Sequence, residues 1–171
     1  MSDQTLPVKF TDVVELDIPK FDDRPVITLE FSSIKEGERR LIEAKVVNPA
    51  TYSELEYSFN EGYREAKKNL SIIGYEITQA ERIQRRIKSE LILDEYPNFL
   101  KENKLRDNST IRDAFLERNQ PYVDAQERIN MLKAMESLVD GKIRVFENVC
   151  RYMKKNMDLL IRSGSMNSNK Y

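Results

Sequence analysis

The chain has 171 residues, of which 40% are hydrophobic and 33% charged, with a formal net charge of −1, the profile of one largely helical domain with a modest core. It contains no histidine, which excludes Ser-His-Asp and Cys-His catalysis and imidazole-held zinc. The lone Cys150 excludes an internal disulfide or a paired-thiol metal site and, from its place on a helical seam, reads as a small buried hydrophobe.

Other classes close in the same way. The five glycines form neither a G-x-x-x-x-G-K nor a G-x-G-x-x-G arrangement, so no loop is set up to bring backbone N–H groups onto a nucleotide phosphate. No run approaches about 18 apolar residues and residues 1–7 lack the basic and apolar regions of a secretory signal, so a cytoplasmic location is expected. No catalytic residue, metal site or cofactor is expected.

Residues 1–47 are predicted to form a small β-rich segment. Residues 26–31 (VITLEF) and 41–47 (LIEAKVV) are β-branched and partly alternating, with Gly37 supplying a turn between them, and a third strand is expected within residues 8–16. This segment also contains an enzymatic alternative. Asp22 or Asp23, with Glu30, followed by Glu43-Ala44-Lys45 on a strand, mimics the D…E-x-K spacing with which some nucleases hold Mg²⁺ and orient water. The plainer reading is alternation, with Glu43 and Lys45 facing solvent and Ile42, Ala44 and Val46 facing the core.

Residues 48–162 are predicted to be a long-helix hairpin domain. An apolar seam runs Tyr52, Leu55, Phe59, Tyr63, Ala66, Leu70, Ile73, Ile77, Ala80, Ile83, Ile87, Leu91. A second runs Tyr122, Ala125, Ile129, Leu132, Met135, Val139, Ile143, Phe146, Cys150, Met153, Met157, Leu160. Alternating steps of three and four keep one helix face on a partner helix, so the fold class is mainly α, a long antiparallel helical hairpin with a short intervening helix and a small N-terminal β element.

Local signals place the ends of these helices. Asn48 and Pro49 suit the start of the first, with Thr51 and Glu54 as a capping-box alternative. Gly74 is the expected kink, and Pro97 is expected to end the helix at Tyr96. A short amphipathic turn over 98–105 and a polar loop over 106–108 lead to a helix capped by Ser109 and running to Arg118. Pro121 then opens the second long helix, Gly164 is expected to stop it, and residues 163–171 are expected to be a disordered tail.

The small net charge conceals an asymmetry. Residues 1–36 hold four basic and eight acidic side chains, 4 − 8 = −4, whereas residues 142–171 hold seven basic and two acidic, 7 − 2 = +5. Arg82, Arg85, Arg86 and Lys88 lie within seven residues and form one candidate phosphate-binding stripe; Lys142, Arg144, Arg151, Lys154 and Lys155 form another. Tyr63, Tyr75 and Tyr152 are candidates for base stacking. Solvated charged faces and partly buried packing tyrosines account for the same residues without any ligand.

The helical part resembles the UvsY-type recombination mediators of tailed phages over residues 50–160. The resemblance is carried by a basic helix end (Ala80-Glu81-Arg82-Ile83-Gln84-Arg85-Arg86-Ile87-Lys88), a polar connector, Ser109-Thr110-Ile111-Arg112-Asp113-Ala114-Phe115-Leu116, and a last helix containing Leu138-Val139-Asp140-Gly141-Lys142-Ile143-Arg144-Val145-Phe146. It implies a small homo-oligomeric accessory protein that binds single-stranded DNA, helps displace single-strand-binding protein and loads a RecA-type recombinase. It maps DNA contact onto Arg82, Arg85, Arg86 and Lys88; charge adds Arg151, Lys154 and Lys155. The β-rich first 47 residues lie outside that pattern. The same seams also suit a coiled-coil structural or assembly adaptor with no nucleic-acid role.

Overall fold

The computed structural model describes residues 14–43 and 49–168. The chain forms β1 (Glu15–Ile18), β2 (Ile27–Glu30), α1 (Ser32–Glu43), α2 (Pro49–Glu90), a π-helical turn (Leu91–Glu95), α3 (Tyr96–Glu102), α4 (Ser109–Arg118) and α5 (Gln120–Ser168). The fold is mainly α with a small β element, as the periodicity predicts. Two compact units divide it: one takes residues up to Leu70 and from Val139 onwards, the other Ser71–Leu138. In the first of these units the β element and α1 pack with parts of α2 and α5.

In the first unit β1 pairs antiparallel with β2, Leu16 opposite Leu29 and Ile18 opposite Ile27. Asp22 in the connecting turn has φ 54, a left-handed conformation that aspartate tolerates better than most residues. Ile18 and Leu29 turn inward and are buried. The predicted third strand is realised only at its end: Glu15 and Leu16 belong to β1, and residues 8–13 lie outside the described residues.

The predicted strand over 41–47 is not formed where it is described. Leu41, Ile42 and Glu43 close helix α1, and residues 44–47 lie outside the described residues. The helical stride Ile34, Gly37, Leu41 outweighs the short β-branched run, with Ile34 and Gly37 buried and Ile42 left 84% exposed. Outward-facing Glu36, Arg39, Arg40 and Glu43 pair at i, i+3 and i, i+4, the Arg39–Glu43 distance being 2.6 Å, which supports the helix.

Gly37 is a helix contact, not a turn. A Cβ there would stand 2.8 Å from the Phe146 ring, and one at Gly62 would stand 2.7 Å from the same ring and 3.0 Å from the Ser33 carbonyl. The two missing side chains let α1 and α2 close on Phe146, which is fully buried and lies 6.2 Å from the Phe59 ring. Phe31 precedes α1 and has no side-chain acceptor to cap it, so α2 supplies one: the Glu65 carboxylate accepts from the Ile34 N–H at 2.9 Å. Buried Asn69 likewise donates to the Glu30 carbonyl at 2.6 Å, tying β2 to α2.

In each unit α2 and α5 run antiparallel. In the first, Phe59 meets Phe146 and the Tyr63 hydroxyl donates to Glu147 at 3.3 Å. In the second, Gln84 donates to Gln126 at 2.6 Å, and Lys133 pairs with Glu81 at 3.1 Å. Both predicted seams are buried or half-buried along their length except at Leu160, which is 44% exposed.

Several expected ends move. Asn48 lies outside the described residues, and Pro49 is the first residue of α2. Gly74 causes no break, since α2 continues through it and a Cβ there would meet nothing within 4 Å. Pro97 does not force Tyr96 out of helical geometry (φ −59, ψ −38). The π-helical turn instead lets the Tyr96 N–H reach back to the Leu91 carbonyl, and this shift of register before a ring that lacks a donor lets helix resume as α3.

Asn108, not Ser109, caps α4, accepting from the Ile111 N–H at 2.9 Å. Tyr96, Phe99 and Phe115 cluster between α3 and α4, with Phe99 and Phe115 centroids 5.1 Å apart, and the Tyr96 hydroxyl donates to Asp107 at 2.9 Å. At the other end, α5 passes Gly164 and reaches Ser168, so the expected stop and tail do not begin at residue 163; residues 169–171 lie outside the described residues.

Two outcomes are expected. Gly62→Ala should cost about 1–3 kcal/mol in urea unfolding, because the added methyl forces the Phe146 ring or the Ser33 backbone to shift, while Gly74→Ala should be neutral or stabilising by up to about 1 kcal/mol. Hydrogen bonds from Arg39, then Arg40, hold the Glu36 carboxyl at about 2 against an ordinary 4.5. Its folded value is depressed, so its contribution is present above the ordinary value and is lost as pH falls from about 4.5 through about 2. A carboxyl NMR titration should place Glu36 near that lower value and return it towards the ordinary one in Arg39→Ala/Arg40→Ala.

Candidate nucleic-acid interface

The basic stripe on α2 lies off the seam and is therefore solvent-facing. Ile73, Ile77, Ala80 and Leu91 mark the buried face, and at about 100° per residue Arg82, Arg85 and Arg86 fall on the opposite side, whereas Lys88 lies at the edge of the seam, about 60° from its centre. All four are exposed. Arg82 and Lys88 make no ion pair with a described residue, and the Arg85 Nε donates to the Glu81 carbonyl at 3.3 Å. Arg86 stands 4.0 Å from Glu90, an exposed i, i+4 contact of little strength. These four cations, all in the second unit, can meet phosphates at small desolvation cost.

The stripe on α5 is shorter than its sequence suggests. Lys142 is half-buried against Glu38 of α1, 2.5 Å away, and Arg144 pairs with Asp140 at 2.8 Å, so these two do not extend it. Arg151, Lys154 and Lys155 remain exposed and without an ion pair among the described residues. They belong to the first unit, whereas the α2 stripe belongs to the second.

The three tyrosines separate as well. Tyr63 is half-buried, hydrogen-bonded to Glu147 and overlaid by Lys67, whose Nζ is 5.4 Å from the ring centre. Tyr152 is 64% exposed but lines an apolar groove of about 330 Å³ with Leu41, Leu55, Phe59, Val149 and Met153. Tyr75 is 56% exposed and stands on the same outer face of α2 as the arginines.

The described residues do not form the nuclease geometry. Glu43 is the last residue of α1, not a strand residue, and its carboxylate takes the Arg39 guanidinium at 2.6 Å; Lys45 lies outside the described residues. Among the described residues no group of three or more acidic or cysteine side chains is placed to hold a metal ion. Cys150 is half-buried, and burial, then the charge of Glu56, pushes its thiol up, away from the thiolate that a nucleophile requires. No described helix is long and apolar enough to cross a membrane.

One polar feature escapes the seam reading. Glu76 and Arg128 are 1% and 6% exposed and pair at 3.4 Å inside the second unit. The signal is present in the sequence: Glu76 follows Ile73 by three and precedes Ala80 by four, and Arg128 follows Ala125 by three and precedes Leu132 by four, so both occupy apolar faces. Such a pair penalises any slip of α2 against α5, because a slip leaves a charge buried alone.

No family model matches the chain, and neither the curated proteins nor the solved structures provide a match.

Removing one partner of the buried pair should be costly. Arg128→Met is expected to lose about 3–5 kcal/mol, and Glu76→Leu/Arg128→Met to recover most of it, as read by urea unfolding of the single and double variants.

Proposed function

We propose that the protein is a non-enzymatic, single-stranded DNA-binding mediator of recombination, of the kind its helical segment resembles, acting as a homo-oligomer in the cytoplasm beside a RecA-type recombinase and a single-strand-binding protein. The observation that supports this reading is the exposed row of Arg82, Arg85, Arg86 and Lys88 along α2. The three arginines lie within about 100° of one another on the outer face, and cations so placed follow a phosphate backbone without reading base edges, which suits binding with little sequence preference. Arg151, Lys154 and Lys155 offer a second, smaller surface for the same chemistry. A net charge near zero does not oppose it, since local field, not total charge, governs capture of a polyanion.

The apolar groove lined by Leu41, Tyr152 and Met153 favours a second reading, that of an assembly adaptor. Salt separates the two. Phosphate contacts weaken steeply as salt rises, while apolar docking changes little.

Fluorescence anisotropy of a labelled oligo-dT across a salt series tests the proposal. The wild type should bind with a negative slope of log affinity against log salt. Arg85→Ala/Arg86→Ala should bind more weakly, with a slope shallower by about 0.7 for each phosphate no longer neutralised and unchanged helicity by circular dichroism. A protein that ignores the oligonucleotide at low salt sinks the reading and leaves the adaptor.

A further inference from the structure

We infer that Tyr75 is a base-stacking platform at one end of the α2 arginine row, so that the surface takes unpaired bases as well as phosphates. This rests on the single-stranded DNA reading and adds to it the chemical group recognised and the residue that recognises it.

Helix geometry places Tyr75 in line with the cations. Arg82 is seven residues away and Arg86 eleven, close to two and three turns, so all three lie within about 40° of one line along the outer face, Arg82 about 10 Å further along the axis. Arg85 stands about 80° to one side of that line, and Lys88 lies further round on the same side, towards the seam. A strand held by the arginines therefore has its next nucleotides delivered to the tyrosine.

One flank of Tyr75 is built of small residues. Ser71 one turn before, Gly74 beside it and Thr78 one turn after lie to that side, while Ile72 and Gln79 stand on the other. The Thr78 hydroxyl is folded back onto the Gly74 carbonyl at 3.0 Å, and a Cβ at Gly74 would meet nothing within 4 Å. The ring itself is 56% exposed. Of the other two candidate tyrosines, Tyr63 is half-buried and Tyr152 lies in the first unit beside the apolar groove, so neither shares this face with the arginines. Stacking on an aromatic ring tolerates any base, because each has a π-face, which fits a site built without base-edge donors.

The test compares two labelled oligonucleotides of equal length, one of dT and one whose internal sites are abasic, each titrated with wild type, Tyr75→Ala, Tyr75→Leu and Tyr75→Phe at low and moderate salt. Wild type and Tyr75→Phe should prefer dT by about tenfold, and Tyr75→Ala and Tyr75→Leu should lose that preference while keeping the salt slope. Tyr75→Leu preserves apolar area without a ring, and circular dichroism checks that each variant is folded. Equal wild-type affinity for the two oligonucleotides, or a dT preference retained in Tyr75→Ala, overturns the inference while the DNA-binding function stands. Failure of the wild type to bind either oligonucleotide overturns both.

Discussion

The Phe146 ring sets the closest approach in the first unit, and the rest of that unit is arranged around it. With no side chain at Gly37 or Gly62, α1 and α2 both come down on the same Cε1–Cζ edge of the ring, a spacing that a methyl on either helix would not permit. That closeness brings the Glu65 carboxylate to the α1 backbone, Asn69 to the Glu30 carbonyl and Lys142 to Glu38. The polar contacts are possible because the apolar one fixes the distance, and together they account for how a two-stranded sheet too small to stand alone is held in place.

The second unit solves its register differently. Its apolar face is broad and made of similar aliphatic side chains, so packing alone distinguishes weakly between alignments of α2 and α5 that differ by a turn. The Glu76–Arg128 pair and the Gln84–Gln126 hydrogen bond remove that ambiguity, because only one alignment satisfies them. A firmly registered pair of helices also fixes which α2 residues face outward. The exposure of Arg82, Arg85 and Arg86 is in that sense a product of the buried face opposite them.

The long helices are legible in the sequence because their signal is local and repeats: every step of three or four from Leu55 to Leu91 and from Ala125 to Met153 carries the same periodicity. Helix α1 is not, since its signal is a single stride of Ile34, Gly37 and Leu41 set against a β-branched run, and Gly37 reads as a turn until Phe146, far along the chain, is placed beside it. Pro97 misleads for a related reason: the π-helical turn that accommodates it depends on how Leu91 and Tyr96 pack with Phe115 and Leu116. Within the candidate site, the exposure of Arg82, Arg85, Arg86 and Lys88 follows from their positions off the seam. The pairing of Lys142 does not, because its partner Glu38 lies on a segment whose sequence reads as a turn between strands.

The cap on α1 has a consequence for the order in which the chain folds. A helix whose first turn is completed by a carboxylate from another helix cannot hold that turn before the other helix has formed and docked. Helix α1 therefore belongs to the late events of folding, after the central part of α2 is in place, and on the return path it is among the first elements free to detach. Local opening of the first unit begins at α1 and its strands, leaving the long helices to part last.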